Sequence, residues 1–94
     1  MIIEWLPAAQ RDFDAIIDFI AADNPLAAIN QADEIEQQVE GLIEHRHRGR
    51  AGRVKGTREL VIVRTPFIVA YCIKPGNIQI LRIYHGAQQW PDAF

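Results

Sequence analysis

Residues 58–85 read "RELVIVRTPFIVAYCIKPGNIQILRIYH". Three β-prone runs sit in this stretch, at 58–65, 67–74 and 77–85, separated by the turn signals "TP" and "PGN". The middle run alternates Phe67, Val69, Tyr71 and Ile73 against Ile68, Ala70, Cys72 and Lys74. The third is apolar on both faces, as expected of a central strand. An antiparallel meander is therefore the expected second half of the chain.

Upstream the period changes. Residues 2–5, "IIEW", suit a short N-terminal strand. Residues 6–23 then carry Phe13, Ile16, Ile17 and Ile20 at helical spacing, with Pro7 in the first turn. "DNP" (23–25) ends this helix and starts another, with Asn24 as N-cap and Pro25 at the first helical position. The second helix is expected from 25 to about 46, on a narrow seam of Ala28, Ala32, Ile35, Val39 and Leu42. "HRHR" (45–48) would close it with cations at the negative end of the dipole, and Gly49 is a plausible residue just past its end. The expected fold is α+β in the order β-αα-βββ, a helical hairpin packed on one face of a small, mainly antiparallel sheet. At 94 residues the chain should form a single domain, 1–94. The tail 86–94 reads as irregular and anchored by Trp90.

Composition is that of a soluble globular protein, with 49% hydrophobic and 23% charged residues. No apolar run approaches a membrane span, and the N-terminus does not resemble a signal peptide. A single cysteine, Cys72, excludes an internal disulfide and suits a reducing cytoplasm. The net charge of −2 conceals a segregation. Residues 1–44 hold ten acids and one base, whereas 45–94 hold nine bases and two acids. The basic half is a candidate for an anionic partner, unless the two halves neutralise each other within the fold.

Much of that charge lies in "GRAGRVKGTREL" (49–60), where Arg50, Arg53, Lys55 and Arg58 are interspersed with glycines. Arg64 shares parity with Arg58, and both could project from one sheet face. Arg82 lies between Leu81 and Ile83, and either meets a carboxylate (Glu59 or a helix acid) or lines a groove. His45, His47 and His85 lack metal-binding spacing, no P-loop pattern occurs, and the chain has no serine for a triad. No metal or cofactor is expected. What remains is a phosphodiester-type set. Arginines would hold the charge of a phosphorane-like centre, with His85 as acid or base and Tyr84 stacking or moving a proton. Regular alternation places Arg82 and His85 on opposite faces, so this set requires the strand to end or bulge before His85.

The segments "GRAGRVKGTREL", "IVAYCI" and "ILRIYHGAQQWP" together resemble the RelE/ParE superfamily of toxins from bacterial type II toxin–antitoxin modules, over nearly the whole chain. The resemblance implies a cognate antitoxin and, with it, a toxin–antitoxin hetero-oligomer. It implies one of two targets. RelE-like members cleave mRNA on the ribosome without a metal, whereas ParE-like members poison DNA gyrase without nuclease activity. Carried over by position, Arg53 and Lys55 would be the loop cations that bind substrate, with Arg50 of the same loop beside them. Arg58 or Arg64 would be the sheet arginine, Arg82 the last-strand arginine, and His85 or Tyr84 the acid/base. The first expectation is therefore a metal-independent endoribonuclease, with gyrase inhibition, or a degenerate toxin that only binds antitoxin, as the alternatives.

Overall fold

A computed structural model of the chain describes residues 1–86. Its elements are β1 (Ile2–Trp5), α1 (Pro7–Asp23), α2 (Pro25–Glu40), a 3-10 turn (Gly41–Ile43), β2 (Arg50–Ala51), β3 (Arg58–Val61), β4 (Phe67–Lys74) and β5 (Asn77–His85). The five strands form one sheet in the order β1-β5-β4-β3-β2, with β1 parallel to β5 and every other pair antiparallel. The α+β architecture is the one expected. The sequence reading missed β2, whose two residues are too short to show an alternating pattern. The expected anchoring of the tail by Trp90 lies outside the described residues.

The helical hairpin forms for the reasons its sequence states. The Asn24 side chain accepts a hydrogen bond from the Ala27 N–H at 3.1 Å, and Pro25 occupies the first helical position. The seam of α2 buries Ala28, Ile35 and Val39, and Leu42 is buried in the 3-10 turn. These residues and Ala9 meet Leu60, Ile62, Val69, Tyr71, Ile78, Ile80 and Ile83 in one core, with Phe13, Ile16 and Ile20 packed at its margin. A second cluster of Ile68, Ala70 and Tyr84 lies on the other side of the sheet, as their alternation with Phe67, Val69 and Ile83 requires.

Three boundaries differ from expectation. α2 stops at Glu40, so "HRHR" is a loop rather than the helix's last turn. Glycine at 41 ends the regular helix, and burial of Leu42 draws the chain into a tighter turn. Gly49 is consequently not a helix terminator. Its N–H donates to the Tyr71 hydroxyl at 2.9 Å, and that hydroxyl donates to the Arg46 carbonyl at 2.8 Å. A Cβ at position 49 would lie 2.6 Å from that hydroxyl and 2.8 Å from the Glu59 carbonyl oxygen, so only glycine fits. Finally, β3 ends at Val61, because Ile62 and Phe67 close a hairpin loop containing Pro66, with Arg64 at φ 69°.

Tyr71 is the largest fully buried side chain, and its hydroxyl holds the 46–49 loop to the sheet. Tyr71→Phe should lower stability by about 1–2 kcal/mol by leaving two loop groups unpaired. Gly49→Ala should cost about 1–3 kcal/mol through overpacking. Both are read from urea unfolding midpoints at unchanged m-value.

Candidate functional site

The basic loop is organised by a carboxylate. Glu59 is 3% exposed, the one charged residue among the buried side chains described. Its Oε1 accepts from Arg50 Nη2 at 3.0 Å and Nε at 3.2 Å, and its Oε2 accepts the Arg53 backbone N–H at 3.1 Å. The Arg53 guanidinium stands 3.9 Å from the same oxygen. Arg58 donates through Nη2 to the carbonyls of His47 and Gly49 at 2.9 and 2.5 Å, fastening the preceding loop to β3. Lys55 is exposed at the tip of the 52–57 turn. Of the four loop cations, Arg50, Arg53 and Arg58 are thus engaged by the chain itself.

At the far side of the sheet, β1 ends opposite Ile80, and the rest of β5 has no neighbouring strand on that side. Asp12 of α1 takes the place of one. Its Oδ2 accepts the Ile83 N–H at 3.0 Å and Arg82 Nε at 2.7 Å, while Oδ1 accepts Arg82 Nη2 at 3.1 Å. The Asp12 hydrogen bond, joined by its charge and opposed by partial burial, raises the Arg82 pKa further above its ordinary value. The Arg82 guanidinium also lies 5.3 Å from the Tyr84 ring centroid. Burial pushes the Tyr84 phenol above its ordinary 10.0, opposed by the Arg82 charge, so it stays protonated at neutral pH. The helix acid foreseen as a partner for Arg82 is Asp12. Sequence reading did not single it out, although an acid one turn before Ile16, beside the apolar stripe of α1, was a visible signal.

Two expectations about the site do not hold. Arg58 and Arg64 do not share a sheet face, because Arg64 has left the strand for a left-handed turn position. There it pairs with Glu34 of α2 through Nε, and through Nη2 at 3.0 Å. Nor does the strand break before His85. The irregularity in β5 falls at Leu81, where Ala70 pairs with Arg82 but Tyr71 with Ile80, and pairing continues to Phe67↔His85. His85 therefore lies on the helix side. Its ring meets Phe67 edge-on at 5.8 Å and lines an apolar groove of about 410 Å³ with Ile16, Phe19, Ile20 and Pro66. Tyr84 belongs to the opposite face.

Topology separates the set further. Arg58 pairs with Tyr71, which pairs with Ile80, so Arg58 is level with a residue five positions before His85. At a rise of about 3.3 Å per residue the offset along β5 is about 16 Å. The turn that carries Arg53 and Lys55 lies beyond Arg58, at the end of the sheet away from His85. The proposed convergence of Arg53, Lys55, Arg82 and His85 is absent in this structure. Antiparallel pairing sends the loop before β3 and the end of β5 to opposite ends of the sheet. Among the described residues no three His, Cys, Asp or Glu side chains gather as a metal-binding group. Cys72 is buried, with Sγ 3.6 Å from Gln79 Oε1. No described helix is long and apolar enough to cross a membrane.

A two-helix hairpin on a five-stranded sheet with a cation-rich β2–β3 loop defines a toxin fold of the RelE/ParE superfamily. The chain belongs to the ParE toxin family of type II toxin–antitoxin systems, whose model, ParE toxin of the parDE system, matches residues 3–90. It is 40% identical over 90 residues to the putative toxin Y4kP of Sinorhizobium fredii, spanning 96% of this chain and 93% of that one. It is 35% identical over 86 residues to toxin RelE2 of Caulobacter vibrioides, spanning 92% and 96%. A chain of the solved chromosomal ParDE toxin–antitoxin system from P. aeruginosa superposes with a TM-score of 0.82 at 34% identity, covering 90% of this chain and 95% of that one.

Two measurements check these assignments. Asp12→Ala should destabilise the fold by about 1.5–3 kcal/mol, since charge-assisted bonds and a strand N–H are lost together. Asp12→Asn, which keeps an acceptor for the Ile83 N–H, should cost less in the same thermal or urea titration. The second concerns Glu34, whose carboxyl the Arg64 hydrogen bond, helped by the Arg64 charge, holds below its ordinary 4.5. A depressed carboxylate contributes stability that is present above the unfolded value and is lost as pH falls through the folded one. NMR titration should therefore place the Glu34 midpoint below 4.5 and return it toward 4.5 in Arg64→Ala.

Proposed function

We propose that this toxin acts by binding, as a ParE-like inhibitor of DNA gyrase restrained by a cognate antitoxin, and does not cleave mRNA. One observation carries the reading. The groups that a metal-free phosphodiester cleavage would need together are apart. His85 faces the helices, Arg82 and Tyr84 form a separate pair held by Asp12, and the loop cations lie at the other end of the sheet. Acid–base catalysis requires its groups within hydrogen-bond reach of one reacting centre. Strand pairing fixes this separation, so side-chain rotation does not remove it.

The loop arginines are better suited to holding structure than to clamping a phosphate. Arg50 and Arg58 already spend donors on Glu59 and on loop carbonyls. The ParE family match and the ParDE likeness stand beside 35% identity to toxin RelE2, so the reading rests on the separation of the candidate catalytic groups. The antitoxin follows from the same likeness, since that solved structure is of a toxin–antitoxin system.

Inducible expression with parallel readouts tests the proposal. The expected result is growth arrest with gyrase-dependent double-strand breaks, intact ribosome-bound mRNA and undiminished toxicity in His85→Ala. Ribosome-dependent mRNA cleavage that disappears in His85→Ala would overturn the binding mechanism in favour of a RelE-like endoribonuclease.

A further inference from the structure

The loop between the 3-10 turn and β2 reads His45, Arg46, His47, Arg48, and its backbone is held along its length. The His45 N–H donates to the Gly41 carbonyl at 3.1 Å, and the Arg48 N–H closes a turn on the His45 carbonyl at 2.9 Å. The Arg46 carbonyl accepts from the Tyr71 hydroxyl, and the His47 carbonyl accepts from Arg58. Those two donors come from the sheet, so the loop is fixed before any partner arrives. Its side chains are not used in the same way. All four residues are exposed. Among the described residues the guanidinium groups of Arg46 and Arg48 have no carboxylate or hydrogen-bonding partner, whereas those of Arg50, Arg58, Arg64 and Arg82 are committed to acceptors of the chain itself. Two like charges held two residues apart repel each other, and the fold gains no bond from them.

The four residues and Glu44 line a shallow depression of about 410 Å³, to which no apolar residue contributes. That composition selects a class of partner. Protein interfaces have apolar cores depleted of charge, whereas protein–DNA interfaces are polar and strongly positive. Single-stranded nucleic acid is gripped on aromatic platforms, and the depression has no Phe, Tyr or Trp. A dense, regular row of phosphates asks only for fixed cations and donors.

We propose that the 45–48 loop is a contact for the backbone of duplex DNA. Arg46 and Arg48 each bind a phosphate through paired guanidinium N–H groups, and the imidazole N–H groups of His45 and His47 donate to phosphates beside them. Such a contact positions the toxin on DNA and reads no base sequence. The ten acids of residues 1–44 repel the same duplex, so the molecule approaches it loop first. The use of this contact in the toxin's action rests on the gyrase reading above, the duplex being DNA that gyrase handles. The binding itself does not depend on that reading.

The test measures binding of the full-length toxin to a labelled duplex by fluorescence anisotropy. Two phosphate contacts predict a log–log salt slope near about −2, so affinity should fall roughly tenfold between about 50 and 200 mM salt. Arg46→Gln combined with Arg48→Gln should remove the binding and its salt dependence at an unchanged thermal midpoint. Arg11→Gln, which removes an exposed cation of α1, should change neither. An unchanged slope in the double variant, no binding at the low salt, or tighter binding of a single-stranded RNA of the same length overturns the proposal. Gyrase-dependent cleavage of plasmid DNA is followed in parallel, where the double variant should need about tenfold more toxin for the same breaks. Breaks formed equally well by the variant remove the loop from the poisoning step. If wild-type toxin produces no such breaks while DNA binding still depends on Arg46 and Arg48, the gyrase reading fails and the contact stands.

Discussion

The burial of Glu59 is the constraint on which the basic half of this fold depends. A carboxylate at 3% exposure is tolerable only when paired and hydrogen-bonded, because isolated charge burial costs several kcal/mol. It is the only acid between Glu44 and Asp92, so its partners must come from the cation-rich segment around it. Arg50 arrives from β2 and the Arg53 backbone from the turn, and the loop closes over the carboxylate. Arg58, with Gly49 and Tyr71, then holds the chain before β2 against the same strand. A segment that reads as a surplus of charge is thus folded around one negative centre. That arrangement fixes where the unpaired remainder of the charge, Lys55 foremost, is presented.

The division into an acidic first half and a basic second half has a related explanation. Asp12–Arg82 and Glu34–Arg64 each join a helix to the sheet or its turn. The Glu34–Arg64 pair is not a large source of stability by itself, because its arginine keeps substantial contact with water, whereas Asp12 also holds the Ile83 N–H. Their effect is positional. They set which edge of the sheet each helix approaches, and they commit arginines that a nucleic-acid reading of the sequence would leave available. Counting cations along the chain overstates the charge open to a phosphate backbone for this reason.

The sequence was most informative where one periodicity governed a segment. The β4 alternation, the α2 seam and the Asn24–Pro25 junction all appear as their patterns require, because local propensity and burial agree there. It was less informative where a single long-range contact decides. The end of α2 at Glu40 reflects Leu42 entering the core and Tyr71 reaching the 46–49 loop from 22 to 25 positions away. The candidate site suffered most. Individual residues were identifiable by type, and a helix acid beside Arg82 was anticipated. Whether Arg53, Lys55 and His85 share a place depends on strand pairing, which residue spacing does not encode. Asp12, Glu34 and Gln38 carry no motif, because their importance comes only from the backbone groups and arginines that the fold brings to them.

The two strand flanks that lack a neighbouring strand show how helix side chains can finish a sheet. Past the end of β1, β5 is met by Asp12, which makes three charge-assisted or strand-edge bonds in a partly buried position. Past the end of β2, β3 is met by Gln38, a neutral amide making two bonds near solvent. Bonds that involve an ionised partner are roughly twice as strong as neutral ones, and removal of a buried charged partner leaves a group that water cannot readily satisfy. The first closure therefore belongs to the permanent framework that fixes α1 on the sheet. The second can open at little cost to the fold, since water can replace each of its bonds. The sheet is thus firmly sealed past β1 and lightly sealed past β2, and the difference follows from the charge and burial of the side chain that closes each flank.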